Sequence, residues 1–340
     1  SLDSAGPNLS GTLFEGIRVW SRYREKLSKE EVQERALRTL DLYQEKGVQY
    51  VRSHVDISHS LTAFQALLEL KEKLKDEIEL QLVAFPQDGI FTEAKVRKNL
   101  EEAVSMGADA IGGIPHFELT REHGEKSIHY VMELAKKYDR LVDMHCDEID
   151  DGESRFLEVL AAAAYESGMG GKVSASHTTA MHSYNNAYCD KLFRVLRMSG
   201  IHIIANPLVN VNLQGRIDPY PKRRGITRVK ELLENGINLS LGHDDMYDSF
   251  YPMGNGDMTE VLSMCLHLCH MMGYQDLMDS YRLITYNGAR VLNLPEESYG
   301  ISPGKAADFN IFRDGNFFEV LRCKKGIRYR IRKGRIRGEH

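Results

Sequence analysis

Imidazole and carboxylate side chains recur where short apolar runs of this sequence end. His145 closes one run together with Glu148, His177 closes a second, and Asp244 and Asp245 follow a third. These side chains bind borderline divalent ions such as Zn²⁺ or Fe²⁺ and leave a coordination position for water. Such an ion lowers the pKa of bound water, so that hydroxide exists at neutral pH. The residue types therefore indicate a hydrolytic metal site.

Two of these residues have the chemistry to assist hydrolysis. Glu148, three residues after His145, can take a proton from the hydroxide and deliver it to a substrate. His177 can hydrogen-bond the hydroxide and orient it. Any one of them alone could instead be a structural residue satisfied by its neighbours. Because polar residues end nearly every run, a shared site is favoured. The other polar residues at run ends are His54, Asp56, Gln87, His116 and His243.

The apolar runs alternate with longer amphipathic stretches along most of the chain. Each run is short, almost continuously apolar and bounded by Gly, Pro or polar residues, which is typical of strands buried on both faces. The alternation predicts a parallel sheet, either doubly wound or closed into a (β/α)8 TIM-type barrel, whose catalytic groups lie at the carboxyl ends of the strands. The expected strands are Gln49–Ile57, Glu79–Phe85, Asp109–Pro115, Leu141–Cys146, Lys172–Thr178, Ile201–Ala205 and Asn238–Gly242.

The amphipathic stretches predict the helices that cover this sheet. Seven strands are one fewer than a closed barrel needs, so we expect the first barrel strand to lie upstream of Ser1. The expected helices are Thr12–Arg22, Lys29–Lys46, Leu61–Leu74, Glu93–Met106, Glu125–Lys137, Gly152–Ser167, Ser183–Met198, Thr227–Asn235 and Met258–Met272.

The pattern changes after residue 292. Gly304–Phe312 and Gly326–Gly338 have the appearance of short antiparallel strands. We therefore expect a barrel domain over residues 1–292 and a small residual β-sandwich appendage over residues 293–340. The basic stretch Arg322–Arg337 alternates charged with apolar residues, which indicates a strand with one solvated face rather than a nucleic-acid surface.

The composition limits the class of protein. Of 340 residues, 42% are hydrophobic and 27% charged, as in ordinary globular proteins. The 44 basic and 49 acidic residues give a net charge of −5, which does not favour nucleic acid. No apolar run could span a membrane, and the chain does not begin like a signal peptide, so we expect a cytoplasmic protein. The five cysteines include no CxxC pair, and Cys265 and Cys269 are interpreted as buried thiols.

Longer motifs resemble the bacterial cytosine deaminases of the amidohydrolase superfamily. The resemblance extends from about Leu2 to Gly334 and implies a single-metal (β/α)8 barrel. It also implies hydrolysis of cytosine to uracil and ammonia through a tetrahedral intermediate at C4. The motifs are Met144–Asp151, Ala175–Tyr184 and Leu241–Asp245, with shorter matches at Val83–Gln87, Gly113–Phe117, Asn206–Asn210 and Tyr220–Arg228.

The resemblance implies roles for individual residues around one divalent ion, Fe²⁺ or Zn²⁺. His145 and Asp244 are the implied metal ligands. Glu148 is implied to carry a proton from the metal-bound water to a ring nitrogen, while His177 orients or polarises the hydroxide. Asp245 is implied to stand near the departing amine.

Other residues are implied to hold the pyrimidine base. Gln87 would hydrogen-bond its amide edge, and Leu13, in the loop Ser10–Gly16, would offer backbone contacts. Phe85 and Phe250 are expected to form apolar walls. Phe250 stands where the family commonly has Trp.

The resemblance lacks one element and leaves alternatives open. Superfamily members carry a His-x-His pair on the first strand, and here Ser1 stands where its second histidine belongs. We therefore expect a truncated, engineered or incomplete chain. The alternatives are a deaminase of a related ring amidine (isocytosine, a 5-substituted cytosine or creatinine) or a metal-poor, inactive binding scaffold. A nucleic-acid deaminase is disfavoured because its zinc signature is absent. The expected partners are a small pyrimidine base and further copies of the chain, with no nucleic acid and no membrane.

Overall fold

A curled sheet of seven parallel strands forms the centre of the computed structural model, which describes residues 5–339. Each strand pairs with the next one along the chain, because a helix-containing crossover connects every pair. The strands are β1 Tyr50–Asp56, β2 Glu79–Phe85, β3 Ala110–Ile111, β4 Leu141–Cys146, β5 Val173–His177, β6 His202–Ala205 and β7 Leu239–Leu241.

The sheet curls into a half-barrel, which agrees with the predicted α/β class. Arg52 on β1 donates hydrogen bonds to Asp143 on β4 (2.9 Å) and to Ser174 on β5 (3.2 Å), so side chains from distant strands meet inside the curl. Within the described residues, β1 and β7 are the outer strands of the sheet. The expected first strand and the position of Ser1 lie outside those residues.

Helices cover the outside of the sheet, and one large apolar core lies between the two layers. Ser28 caps the start of α2, because its hydroxyl accepts a hydrogen bond from the backbone N–H of Glu31. The helices are α1 Leu13–Arg24, α2 Lys29–Glu45, α3 Thr62–Leu74, α4 Ala94–Ser105, α5 Arg121–Tyr138, α6 Phe156–Ser167, α7 Asn186–Ser199, α8 Pro207–Leu213, α9 Val229–Glu234, α10 Met258–Leu268, α11 Tyr274–Asp279, α12 Tyr286–Val291 and α13 Phe317–Cys323.

Some elements differ from the sequence prediction. The strand expected over Asp109–Pro115 is only two residues long, since two glycines follow it and glycine weakens strands. The helix expected over Thr12–Arg22 is confirmed by α1 Leu13–Arg24, so the loop that the resemblance implies over Ser10–Gly16 ends at Thr12. Thr12 caps the helix α1 there by accepting a hydrogen bond from the backbone of Glu15. The short helices α8, α11, α12 and α13 were not predicted.

A second, antiparallel sheet follows the barrel segment, as the alternation after residue 292 indicates. Its strands are β8 Phe309–Phe312, β9 Ile327–Arg332 and β10 Arg335–Glu339, in the order β10–β9–β8. Among the helices of residues 5–339, none has both the length and the apolar composition needed to cross a bilayer.

Candidate active site

Three strand ends place the predicted site residues. His145 is the second-last residue of β4, His177 is the last residue of β5, and Asp244 follows the end of β7 after two intervening residues. His177 and Asp244 have positive φ angles of 69° and 68°. Left-handed backbone in a residue other than glycine costs of order 1–3 kcal/mol and is concentrated at functional sites. The strained backbone therefore occurs at two residues, His177 and Asp244, that the sequence predicts to be catalytic.

Four of the predicted residues come together at these ends. Nδ1 of His177 lies 3.2 Å from Oε1 of Glu148 and 3.8 Å from Oδ2 of Asp244. His145, Glu148 and His177 each offer a ligand atom within 4.8 Å of the others. Phe85 joins the group, because its ring centroid is 4.3 Å from that of His145.

Burial shifts the pKa values of the carboxyl groups upward. It raises the pKa of Glu148 well above its ordinary value, and the charge of Asp244 adds to this effect. It raises the pKa of Asp244 to about 7. The pKa of Asp245 is raised as well, by burial and then by the charges of Asp248 and Asp244. The carboxyl groups of this site therefore hold protons more readily than free ones.

Burial has the opposite effect on the imidazoles. It lowers the pKa of His177 to about 3 and that of His145 well below its ordinary value. Both rings are therefore neutral at physiological pH. A neutral imidazole has a free lone pair, so each ring can accept a hydrogen bond or bind a metal.

The residues present fit a divalent cation. Nδ1 of His145 is buried and has no hydrogen-bond partner within residues 5–339. A buried unpaired nitrogen is costly, and a metal ligand bond would satisfy it. A cation would also stabilise the ionised forms of Asp244 and Glu148, which burial penalises. Asp244 lies outside the close group of His145, Glu148 and His177, although it neighbours His177.

The predicted substrate residues lie on the flanking segments. Gln87 is half-buried in the turn after β2, and its amide makes no hydrogen bond within the described chain. Phe250 is half-buried and packs on α1, where a Cβ at Gly16 would lie 2.8 Å from its ring. Leu13 is in the first turn of the same helix. In the described chain, none of Gln87, Leu13 and Phe250 has a hydrogen bond or ring contact with His145.

Sequence reasoning gave no role to two asparagines of this site. Asn210 Nδ2 lies 3.0 Å from Nδ1 of His177 and 3.5 Å from Oε1 of Glu148. Asn206 Nδ2 lies 3.3 Å from Nδ1 of the same ring. Their signal in the sequence was an Asn-Pro pair at a strand end with a second asparagine four residues after the first.

His54 lies near the end of β1, as expected, whereas His116 lies in a short 3-10 helix, Pro115–Phe117, beyond the shortened strand β3; both contact His145. The ring centroid of His54 is 4.6 Å from that of His145. His116 hydrogen-bonds the backbone of His145, and burial lowers the pKa of His116 to about 4. The His145 ring is therefore surrounded by polar groups from neighbouring segments.

Comparison with known proteins identifies the family. The sequence pattern of the amidohydrolase family matches residues 2–337. The chain belongs to the amidohydrolase family. Its sequence is 30% identical over 290 residues to the N-isopropylammelide isopropyl amidohydrolase of Pseudomonas sp. (strain ADP), covering 84% of this chain and 68% of that relative. It is 28% identical over 295 residues to the pterin deaminase of Rhizobium rhizogenes (strain K84), covering 85% of this chain and 66% of that enzyme.

The fold of this amidohydrolase is similar to that of a solved deaminase. The 5-methylcytosine deaminase of Klebsiella pneumoniae, liganded with 5-fluorocytosine, superimposes with a TM-score of 0.96 at 48% identity. The match covers 98% of this chain and 81% of that one. The chain is therefore an enzyme of the cytosine deaminase-like amidohydrolase type.

Proposed function

We propose that this amidohydrolase hydrolyses the exocyclic amino group of free cytosine, and also that of 5-methylcytosine. The observation that carries the proposal is the contact of Glu148 with the neutral ring of His177, 3.2 Å apart and beside the ligand candidate His145. The likeness to a 5-methylcytosine deaminase supports the choice of a cytosine ring.

His145 and Asp244 are the residues that would hold the metal ion. When bound, a divalent cation supplies a water of lowered pKa for attack on an electrophilic carbon. The reaction adds water to C4 of the base and breaks the C4–N bond, which releases ammonia together with uracil from cytosine or thymine from 5-methylcytosine. A site for this reaction needs a group that moves protons, a group that holds the water and a contact for the amine.

Glu148 moves the protons in this proposal. Its raised pKa suits a group that first accepts a proton from the attacking water and then gives it to the ring nitrogen N3. His177 holds the water by a hydrogen bond, since its neutral ring lies beside both Glu148 and Asp244. Asp245 accepts a hydrogen bond from the amine before ammonia leaves.

Gln87 and the two phenylalanines select the base. The Gln87 amide has both a donor and an acceptor that no residue of the described chain uses, and the amide edge of cytosine needs both. Phe85, whose ring lies 4.3 Å from that of His145, supplies an apolar wall for a flat ring. Phe250, smaller than the usual Trp of the family, leaves room for a substituent such as the 5-methyl group.

Substrate profiling tests the proposal. The enzyme is supplied with Zn²⁺ or Fe²⁺, and ammonia release is measured from cytosine, 5-methylcytosine, isocytosine, creatinine and cytidine. We expect the highest kcat/KM for cytosine or 5-methylcytosine. The kcat/KM for cytidine should be at least about 10²-fold lower, because its ribose replaces the N1–H of the free base and would leave buried polar groups of the site unpaired. Gln87→Ala should lower kcat/KM for cytosine. Comparable rates for cytidine and cytosine, or preference for isocytosine or creatinine, would contradict the proposal.

A further inference from the structure

Two asparagines stand one helical turn apart beside the candidate active site. Asn206 directly precedes α8 and Asn210 lies within it, and the backbone N–H of Asn210 donates to the carbonyl of Asn206 (2.9 Å). Residues four apart in a helix share one face, and Pro207 at the first helical position fixes the backbone between them. Both side chains are almost fully buried, at 4% and 0% exposure.

The asparagine pair contacts side chains from three strand ends. Asn210 contacts His177 at the end of β5 (3.0 Å) and Glu148 after β4 (3.5 Å). Asn206 reaches His177 at 3.3 Å and hydrogen-bonds the carboxylate of Asp244 after β7. The pair therefore links all three strand ends that supply the site.

The usual structural role of such an asparagine does not apply here. An asparagine directly before a helix normally caps it by accepting a hydrogen bond from its backbone. Asn206 occupies that position in α8 but makes no such bond with its side chain. The side chain of Asn206 instead packs closely against Gly242. A Cβ atom at Gly242 would lie 2.3 Å from Oδ1 of Asn206. The amide is therefore held toward the active-site side chains rather than toward its own helix.

We propose that Asn206 and Asn210 are positioning residues that fix the His177 ring, with Nδ1 as an acceptor and the ring proton on Nε2. The shortest amide contact of the ring is the one from Asn210 Nδ2 to Nδ1, at 3.0 Å, and because an amide NH₂ group can only donate, this contact assigns Nδ1 as the acceptor. Asn206 Nδ2 lies 3.3 Å from both Nδ1 and Nε2 and does not distinguish the two nitrogens. The ring then faces Glu148 with its lone pair and carries its N–H on Nε2, which can hold the attacking water. The kinetic consequence rests on the proposed deamination, whereas the tautomer does not.

The variant Asn210→Leu tests the inference, because leucine has a similar shape but no donor. In the metal-supplied enzyme we expect kcat for cytosine to fall about 10- to 100-fold, the range for partners that orient a site, with KM changed less than about threefold. In ¹⁵N-histidine NMR of the same protein, with His177→Asn to assign the signal, we expect wild-type Nδ1 to be unprotonated and its signal to change in Asn210→Leu.

Asn99→Leu is the matched control for the loss of a buried amide. Asn99 is 8% exposed on α4, and its side chain donates to the carbonyl of Ile57 (2.8 Å). We expect this variant to lose stability but to keep kcat and the His177 signal. Equal kcat in Asn210→Leu and Asn99→Leu, or a protonated Nδ1 in the wild type, would overturn the inference. If no substrate is deaminated, the proposed function fails, and the NMR comparison still decides the positioning role.

Discussion

Glu148 contacts a neutral imidazole that also neighbours the carboxyl group of Asp244, and this position determines the protonation of Glu148. Only 7% of its surface is exposed, and Nδ1 of His177 is 3.2 Å from its Oε1. Burial, together with the charge of Asp244, raises its pKa. A carboxyl group whose pKa is raised toward neutrality can both accept and return a proton during one catalytic cycle.

Replacing Glu148 by glutamine should remove this proton transfer without disturbing the fold. The amide has the same shape, so we expect the melting temperature and the bound metal to be unchanged while kcat falls about 10²-fold or more. Glu153→Gln is the control, because Glu153 lies on the same loop with 76% of its side chain exposed. Steady-state kinetics and metal analysis of both variants make the comparison. Near-normal turnover of Glu148→Gln would show that another group moves the proton.

Single residues were predictable where their position along a strand determined their place. His145, His177 and Asp244 lie at the carboxyl ends of three parallel strands of one sheet, β4, β5 and β7, and such ends meet at one edge of the sheet, so the sequence was sufficient to bring them together. Asn206 and Asn210 were missed because their proposed role depends on where their side-chain amides point, one directly before α8 and one within it. No spacing rule gives the 3.0 Å contact of Asn210 with His177.

At the scale of elements, a charged pair occupies the inside of the curled sheet, where barrels usually have branched apolar residues. Arg52 on β1 and Asp143 on β4 are 2.9 Å apart, with side-chain exposures of 6% and 0%. Burial alone would raise the pKa of Asp143, but His54 and Arg52 hold it well below its ordinary value. Asp143 also accepts a hydrogen bond from Ser176 on β5 (2.7 Å).

Removing one partner of this pair should cost more than removing both. A single Arg52→Met or Asp143→Leu substitution leaves an uncompensated buried charge, which typically costs about 3–5 kcal/mol of unfolding free energy. The double variant has no charge left, so we expect it to recover most of that loss. Urea unfolding of the wild type, both single variants and the double variant measures the coupling. A double variant as unstable as the sum of the single ones would show that the pair is not coupled.

The strands were predictable wherever an apolar run lay between polar ends. The strands β1, β2, β4, β5, β6 and β7 all lie within one residue of their predicted bounds, because such runs are unambiguous. The helix α8 was missed because seven residues that begin at a proline give too short a pattern to recognise. Asn206 precedes this short helix and Asn210 lies within it. Because the helix was not predicted, the positions of the two asparagines at the site were not predicted either.

At the scale of the whole molecule, the second sheet is attached to the barrel segment through polar contacts around Asp308. The hydroxyl of Tyr50 on β1 donates to Asp308 (2.8 Å), and Arg332 on β9 donates to the same oxygen (3.0 Å). The side chain of Gln49 adds a bond to the carbonyl of Ile331 (3.1 Å). These contacts could not be predicted, because the sequence gives no register between a parallel and an antiparallel sheet.

The contact of Tyr50 with Asp308 should weaken in alkaline solution. Burial and the neighbouring Asp308 raise the pKa of Tyr50 from 10.0 to about 12. Below pH 10 the hydroxyl is protonated in the folded and the unfolded chain. Between pH 10 and 12 only the unfolded chain loses the proton, so the stabilising contribution declines as the pH rises through this range. We therefore expect the difference in unfolding free energy between the wild type and Tyr50→Phe to be constant from pH 8 to about 10 and to fall from there to pH 12. Chemical denaturation of both proteins at each pH gives this difference, and a constant value up to pH 12 would contradict the role assigned to Tyr50.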